Sequence, residues 1–133
     1  MHWSSRFVGL PYLDRGRDRS GVDCWGLVRL AFAEVRGIIL PSCTELYASA
    51  EERAEIAAAL SAARAAGPWR RVERPAEWDV AAFARSWGLD HVGLVIAPGL
   101  MLHACNDGAP SRVERYGVPK WARRLEGFYR YAP

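Results

Sequence analysis

Between Asp23 and Gly37 the apolar residues Trp25, Leu27, Val28, Leu30, Ala31, Phe32 and Val35 recur at helical spacing. This predicts an amphipathic helix with Asp23 as its cap and Gly37 at its C-terminus. A second helix is predicted from the capping-box pair Ser49 and Glu52 through an alanine-rich stretch to Gly67. Beyond Pro68 the pattern changes to short runs rich in β-branched and aromatic residues. Asp79 to Phe83, His91 to Ile96, Leu100 to Ala104, Ser111 to Arg115 and Gly127 to Tyr131 read as strands. Pro98-Gly99 marks a tight turn that makes the second and third of these an antiparallel hairpin. Phe7 to Val22 carries Gly9, Pro11, Gly16 and Gly21 among five charged residues and reads as an ordered loop, as does Pro41 to Tyr47. Helices first and strands afterwards predict an α+β domain.

Composition narrows the class. The 133 residues suit one domain, 1–133, with half the residues apolar, six tryptophans, and no repeat or linker. Net charge is only +3, but from Ser111 to Pro133 six cationic residues face two acidic ones, which favours acidic partners. Nucleic acid is not expected as a partner, because phosphate-cradling glycines, zinc-finger spacing and aromatic RNA-binding signatures are missing. Met1 to Leu10 holds no apolar run that could act as a signal sequence or membrane span, so synthesis in the cytoplasm and no membrane partner are expected. Three cysteines, Cys24, Cys43 and Cys105, cannot all pair, which leaves at least one free thiol.

Cys24 lies one residue into the first predicted helix. Exposed backbone N–H groups and the positive end of the helix dipole there would favour a thiolate and could hold a developing oxyanion. A thiolate nucleophile needs a histidine base, itself oriented by a third polar group. Of three histidines, His2 lies in a terminus expected to be mobile, whereas His91 opens one strand of the hairpin and His103 lies near the end of the other. Turn register decides how close they come. Cys43 and Cys105 read as packing or loop thiols. A zinc site from Cys24, His91, His103 and Cys105 lacks a close Cys-x-x-Cys anchor, and neither metal nor cofactor is expected.

At these residues the chain resembles the NlpC-type cell-wall cysteine peptidases. The resemblance runs through Gly9-Leu10-Pro11-Tyr12, then Gly21-Val22-Asp23-Cys24-Trp25-Gly26-Leu27-Val28, then Asp90-His91-Val92-Gly93-Leu94-Val95 and Leu102-His103-Ala104. It implies a papain-like fold in which Cys24 is the nucleophile, His91 the general base and His103 the residue that orients it. It also places Tyr12 and Asp23 at the oxyanion or substrate side, although Tyr12 can equally be a packing aromatic and Asp23 a helix cap. The substrate it implies is the peptidoglycan stem peptide, usually cut between D-glutamate and a diamino acid. Trp25 departs from the family's common serine, and Trp78, before Asp79, from its common glycine.

Asp-Cys-Trp-Gly-Leu-Val-Arg, with Arg36-Gly37-Ile38-Ile39-Leu40-Pro41 after it, is most similar to compact peptidases carried by phage tails and gene transfer agents. That resemblance implies tail-tip or baseplate proteins as partners and delivery to the wall by a particle. Two other readings use the same residues. One is a tail-tip structural or assembly component with little catalysis that binds neighbours through whichever of Trp3, Trp69, Trp87 and Trp121 are exposed, core burial being the alternative for each. The other is amidase or acyltransferase chemistry on the same fold.

Overall fold

The computed structural model describes residues 1–42, 61, 65, 67–86 and 88–133. The predicted second helix, apart from isolated positions, lies outside the described residues, as do Cys43 and Trp87.

The first helix forms where the apolar spacing places it. Helix α1 spans Cys24–Ala31 and continues as a widened π turn over Phe32–Arg36. Gly37 ends it in the left-handed conformation, with φ 67°. At the other end the Asp23 carboxylate accepts the backbone N–H of Gly26 at 2.7 Å, satisfying a donor that the first turn leaves without a partner. Asp23 also pairs with Arg17 at 2.7 Å, tying the cap to the preceding loop. Gly26 is dictated by this packing: a Cβ there would collide with the Gly16 carbonyl oxygen, so only a bare backbone lets the loop lie on the helix.

The segment expected to be a plain loop contains a small hairpin. Strand β1 (Arg17–Asp18) pairs antiparallel with β2 (Gly21–Val22), and Tyr12 bridges Val22. Two-residue strands are too short to show alternation, so periodicity misses them. The N-terminus is also more ordered than expected. His2 caps a 3-10 turn over Trp3–Phe7 and meets Glu77 at 2.6 Å, while Trp3 stacks on Trp78 with ring centroids 4.1 Å apart.

Among the described residues, six antiparallel strands form the main sheet. They are β3 (Trp69–Val72), β4 (Val80–Arg85), β5 (Gly88–Ala97), β6 (Leu100–His103), β7 (Arg112–Arg115) and β8 (Leu125–Tyr131), in the spatial order β3-β8-β4-β5-β6-β7. All five predicted strands are present with shifted ends, and the Pro98-Gly99 turn closes the β5–β6 hairpin. Strand β3 was not predicted, because its four residues include two adjacent arginines and show no apolar alternation. A short helix α2 (Pro119–Ala122) was likewise not predicted.

The two faces of the sheet bury different layers. On one, Val80, Ala82, Val92, Leu94 and Leu102 pack with Val22, Leu27, Val28, Ala31 and Phe32. Leu27, Phe32, Leu94 and Leu102 have no exposed surface, and each such side chain contributes roughly 1.5–3 kcal/mol of burial. On the other face Ala81, Phe83, Val95 and Met101 lie with Trp121 of α2. Trp78 has φ 77°, a left-handed backbone that glycine adopts without strain. Its ring instead fills space between Trp3 and Phe32.

Candidate functional site

Asp23 fixes where the nucleophile candidate sits. By capping α1 it makes Cys24 the first helical residue, and the Cys24 sulfur lies where the backbone N–H groups of Val92 and Trp25 lower its thiol. Val92 follows His91 on β5, so the strand group beside the thiol is the one next in the chain to His91. Among the described residues, no hydrogen bond joins the Cys24 sulfur to either imidazole. The expected thiolate is not what this setting favours. Burial foremost, and then the adjacent Asp23 charge, push the Cys24 thiol up to about 12. The Val92 and Trp25 backbone N–H groups lower it, but desolvation wins.

The histidines do meet. His91 Nε2 lies 2.9 Å from His103 Nδ1, and His103 Nε2 lies 2.9 Å from Glu114 Oε1. The β5–β6 register, with Leu94 opposite Leu102, places His91 and His103 as diagonal neighbours on one face. In turn, β6–β7 pairing sets Met101 opposite Glu114 and His103 opposite Arg112.

Donor roles along this line follow from its end. Glu114 is held below its ordinary value: burial raises it, but hydrogen bonds from Trp121 and His103 outweigh that. As a carboxylate it can only accept, so His103 carries its proton on Nε2 and presents a lone pair at Nδ1. His91 must then donate from Nε2, which leaves His91 Nδ1 as the basic atom. Burial, followed by the neighbouring His103, holds His91 well below the usual histidine value; burial also lowers His103, against the pull of Glu114. Both imidazoles therefore rest neutral at neutral pH.

Trp121 holds the pair in place. Its ring stacks on His91 at 5.0 Å and 24°, meets His103 edge-on at 5.0 Å, and its Nε1 donates to Glu114 Oε2 at 3.3 Å. At 2% exposure Trp121 is a core residue and cannot serve as a surface anchor; Trp3 and Trp69 are half-buried against the core.

Cys105 also departs from expectation. Rather than a packing thiol apart from the site, its sulfur lies 3.3 Å from His103 Nδ1 and 3.8 Å from His91 Nε2. Tyr12 is half-buried against the α1 core, on the segment that bridges Val22 just before Asp23-Cys24. Asp23 is buried, and besides the Gly26 cap and Arg17 it accepts the Arg15 backbone N–H at 3.1 Å. Glu114, Trp121 and Cys105 join the histidines only through strand register and the packing of α2. Neither leaves a mark in local sequence.

The NlpC/P60 family model matches residues 9–130. Solved structures of similar shape include an NlpC/P60 family protein from Bacillus cereus ATCC 10987, with TM-score 0.72 and 22% identity over 98% of this chain and 38% of that one. The NlpC/p60 domain of the peptidoglycan hydrolase SagA gives 0.65 and 21% over 97% and 92%. The peptidoglycan hydrolase RipB from Mycobacterium tuberculosis gives 0.59 and 23% over 96% and 59%. No curated protein sequence shows a match. The sheet and capped helix are thus those of the papain-like α+β fold, and the chain belongs to the NlpC/P60 family.

Proposed function

We propose that the protein is a cysteine hydrolase that cuts stem peptides of peptidoglycan. One observation carries the reading: a cysteine at the head of a capped helix lies by the backbone of Val92, the β5 residue next to an imidazole whose far nitrogen is held by His103, itself held by Glu114. The NlpC/P60 membership and the likeness to two peptidoglycan hydrolases support the substrate class.

Resting thiol and imidazole are both neutral, so the proton moves during attack rather than before it. His91 Nδ1 takes the Cys24 proton as sulfur bonds to the scissile carbonyl carbon, and backbone N–H groups at the head of α1 stabilise the oxyanion. Collapse expels the amine, which takes the proton from His91; water activated by the same imidazole then releases the acid and restores the thiol. His103 holds His91 throughout. Tyr12 would face the oxyanion or substrate, and Asp23 would shape the turn that presents the thiol. The exposed cations Arg115, Lys120 and Arg123 suit a carboxylate-rich stem.

The finer context rests on sequence resemblance alone. Residues 23–29 and 36–41 support a wall-cutting component of a phage tail or gene transfer agent, made in the cytoplasm and carried to the wall by the particle. Incubation with purified peptidoglycan, followed by mass analysis of the fragments, tests the activity. The wild type should release cut stem peptides, and Cys24→Ala should lower the rate by at least about 10³-fold with the fold intact. Equal rates would remove Cys24 from the chemistry. An intact wall with the wild type would favour the scaffold reading, and release of whole stems would indicate amidase chemistry.

A further inference from the structure

We propose that His91 Nε2, His103 Nδ1 and Cys105 Sγ form a binding site for a soft divalent cation such as Zn²⁺, and that occupancy switches the hydrolase off. Binding does not depend on the enzymatic reading; inhibition rests on it.

The three atoms lie within 4.8 Å of one another and form a triangle with sides of 2.9, 3.3 and 3.8 Å. Tetrahedral zinc with bonds of about 2.0–2.1 Å to nitrogen and 2.3 Å to sulfur requires ligand separations of roughly 3.3–3.6 Å. Each side is within about half an ångström of that, a shift that side-chain rotation supplies. Two imidazoles and a thiol are the donor types zinc prefers. Strand geometry produces the cluster, since His103 ends β6 and Cys105, two residues on, returns to the same side.

The outer contacts suit a metal as well as a proton relay. His103 Nε2 already donates to Glu114, the carboxylate–histidine arrangement that orients a metal-binding imidazole. Trp121 walls the site. His91 and His103 are buried, whereas Cys105 is partly exposed and gives the ion its approach. The cations Arg112, Arg124 and Lys120 face the pair, yet Arg112 is bonded to Asp107 at 2.6 Å and Glu114 at 2.9 Å, and Arg124 to Asp90 at 2.6 Å. The charge of the two arginines is largely offset.

Occupancy and catalysis exclude each other by proton bookkeeping. Zinc needs a lone pair at His91 Nε2, so the proton there moves to Nδ1, and the Cys105 thiol proton leaves to solvent. His91 Nδ1 then carries hydrogen and cannot accept the Cys24 proton.

Calorimetry with zinc chloride on the inactive Cys24→Ala protein separates this from the enzymatic reading. Cys24→Ala should bind one zinc per chain as tightly as wild type. Cys105→Ala and Cys105→Ser should bind at least about 100-fold more weakly, and Glu114→Gln about 10-fold more weakly. Cobalt bound to Cys24→Ala should show thiolate charge-transfer absorption that vanishes when Cys105 is also replaced. Wild-type hydrolysis should fall with zinc and return with EDTA, while the hydrolysis by Cys105→Ala, at whatever rate it runs, should be insensitive to zinc. No zinc binding by folded Cys24→Ala at 100 µM would overturn the site. So would wild-type affinity in both Cys105 variants.

Discussion

His103 Nε2 stands 2.9 Å from Glu114 Oε1, and through that contact a carboxylate on the sheet's outer strand β7 determines which nitrogen of His91 is free. The chain Glu114, His103, His91 has one consistent proton arrangement while Glu114 is ionised, and it leaves the lone pair at His91 Nδ1. In the proposed Cys-His-His mechanism Glu114 is then a fourth group that acts only by positioning.

Removing that group should cost turnover rather than binding. Glu114→Ala frees His103 to adopt either tautomer, so kcat on stem peptides should fall by roughly 10–100-fold with KM little changed. Steady-state kinetics beside a melting curve would show it. An unaltered kcat in a folded variant would mean that the tautomer is set elsewhere.

Thiol reactivity follows from burial. With Cys24 at about 12 against an ordinary 9.0, the thiolate fraction at neutral pH is about 10³-fold smaller, and the stronger nucleophilicity of a basic thiolate recovers only part of this. Iodoacetamide should label Cys24 a few tens of times more slowly than a free cysteine at pH 6–7. Rapid labelling at pH 6 would show a thiolate at rest.

Acid should destabilise the metal-free fold. His91 and His103 are both depressed, so the unfolded chain binds protons that the folded chain refuses. Their contribution is complete above the unfolded histidine value of 6.5 and is lost as pH falls below it towards the folded values. Below that value the unfolding free energy should fall by up to about 1.4 kcal/mol per pH unit for each histidine. Denaturant midpoints measured in EDTA from pH 7.5 to 5 would follow it, and His103→Asn should about halve the slope. A flat profile would show that both imidazoles protonate freely in the folded state.

At Trp78 the usual order of alanine and glycine should reverse. Both substitutions lose the ring against Trp3 and Phe32 and should destabilise by roughly 1–3 kcal/mol. With φ at 77°, however, Trp78→Gly should be more stable than Trp78→Ala by about 1 kcal/mol. Thermal melts of the pair suffice, and alanine proving the better residue would contradict a left-handed backbone there.

Much of the architecture was legible because its causes are local. Apolar spacing from Trp25 to Val35, a capping aspartate and a terminating glycine are short-range signals, and the helix follows them from Cys24 to Arg36, with Gly37 as its cap. Pro98-Gly99 likewise announces its hairpin. The motif residues around Cys24, His91 and His103 could be picked out for the same reason. Strand β3 and the β1–β2 hairpin carried no such signal, being too short or too charged for alternation to show.

Tertiary structure decided what those residues can do. Strand register brought Glu114 behind His103 and Cys105 beside both imidazoles, and the packing of α2 laid Trp121 over them. Burial reversed the helix-end preference for a thiolate at Cys24. Helices, caps and turns depend on neighbours a few residues away, whereas register and desolvation depend on segments brought together only by folding. The sequence by itself determined the chemical groups and their local frame; their distances, protons and charges were determined by the fold.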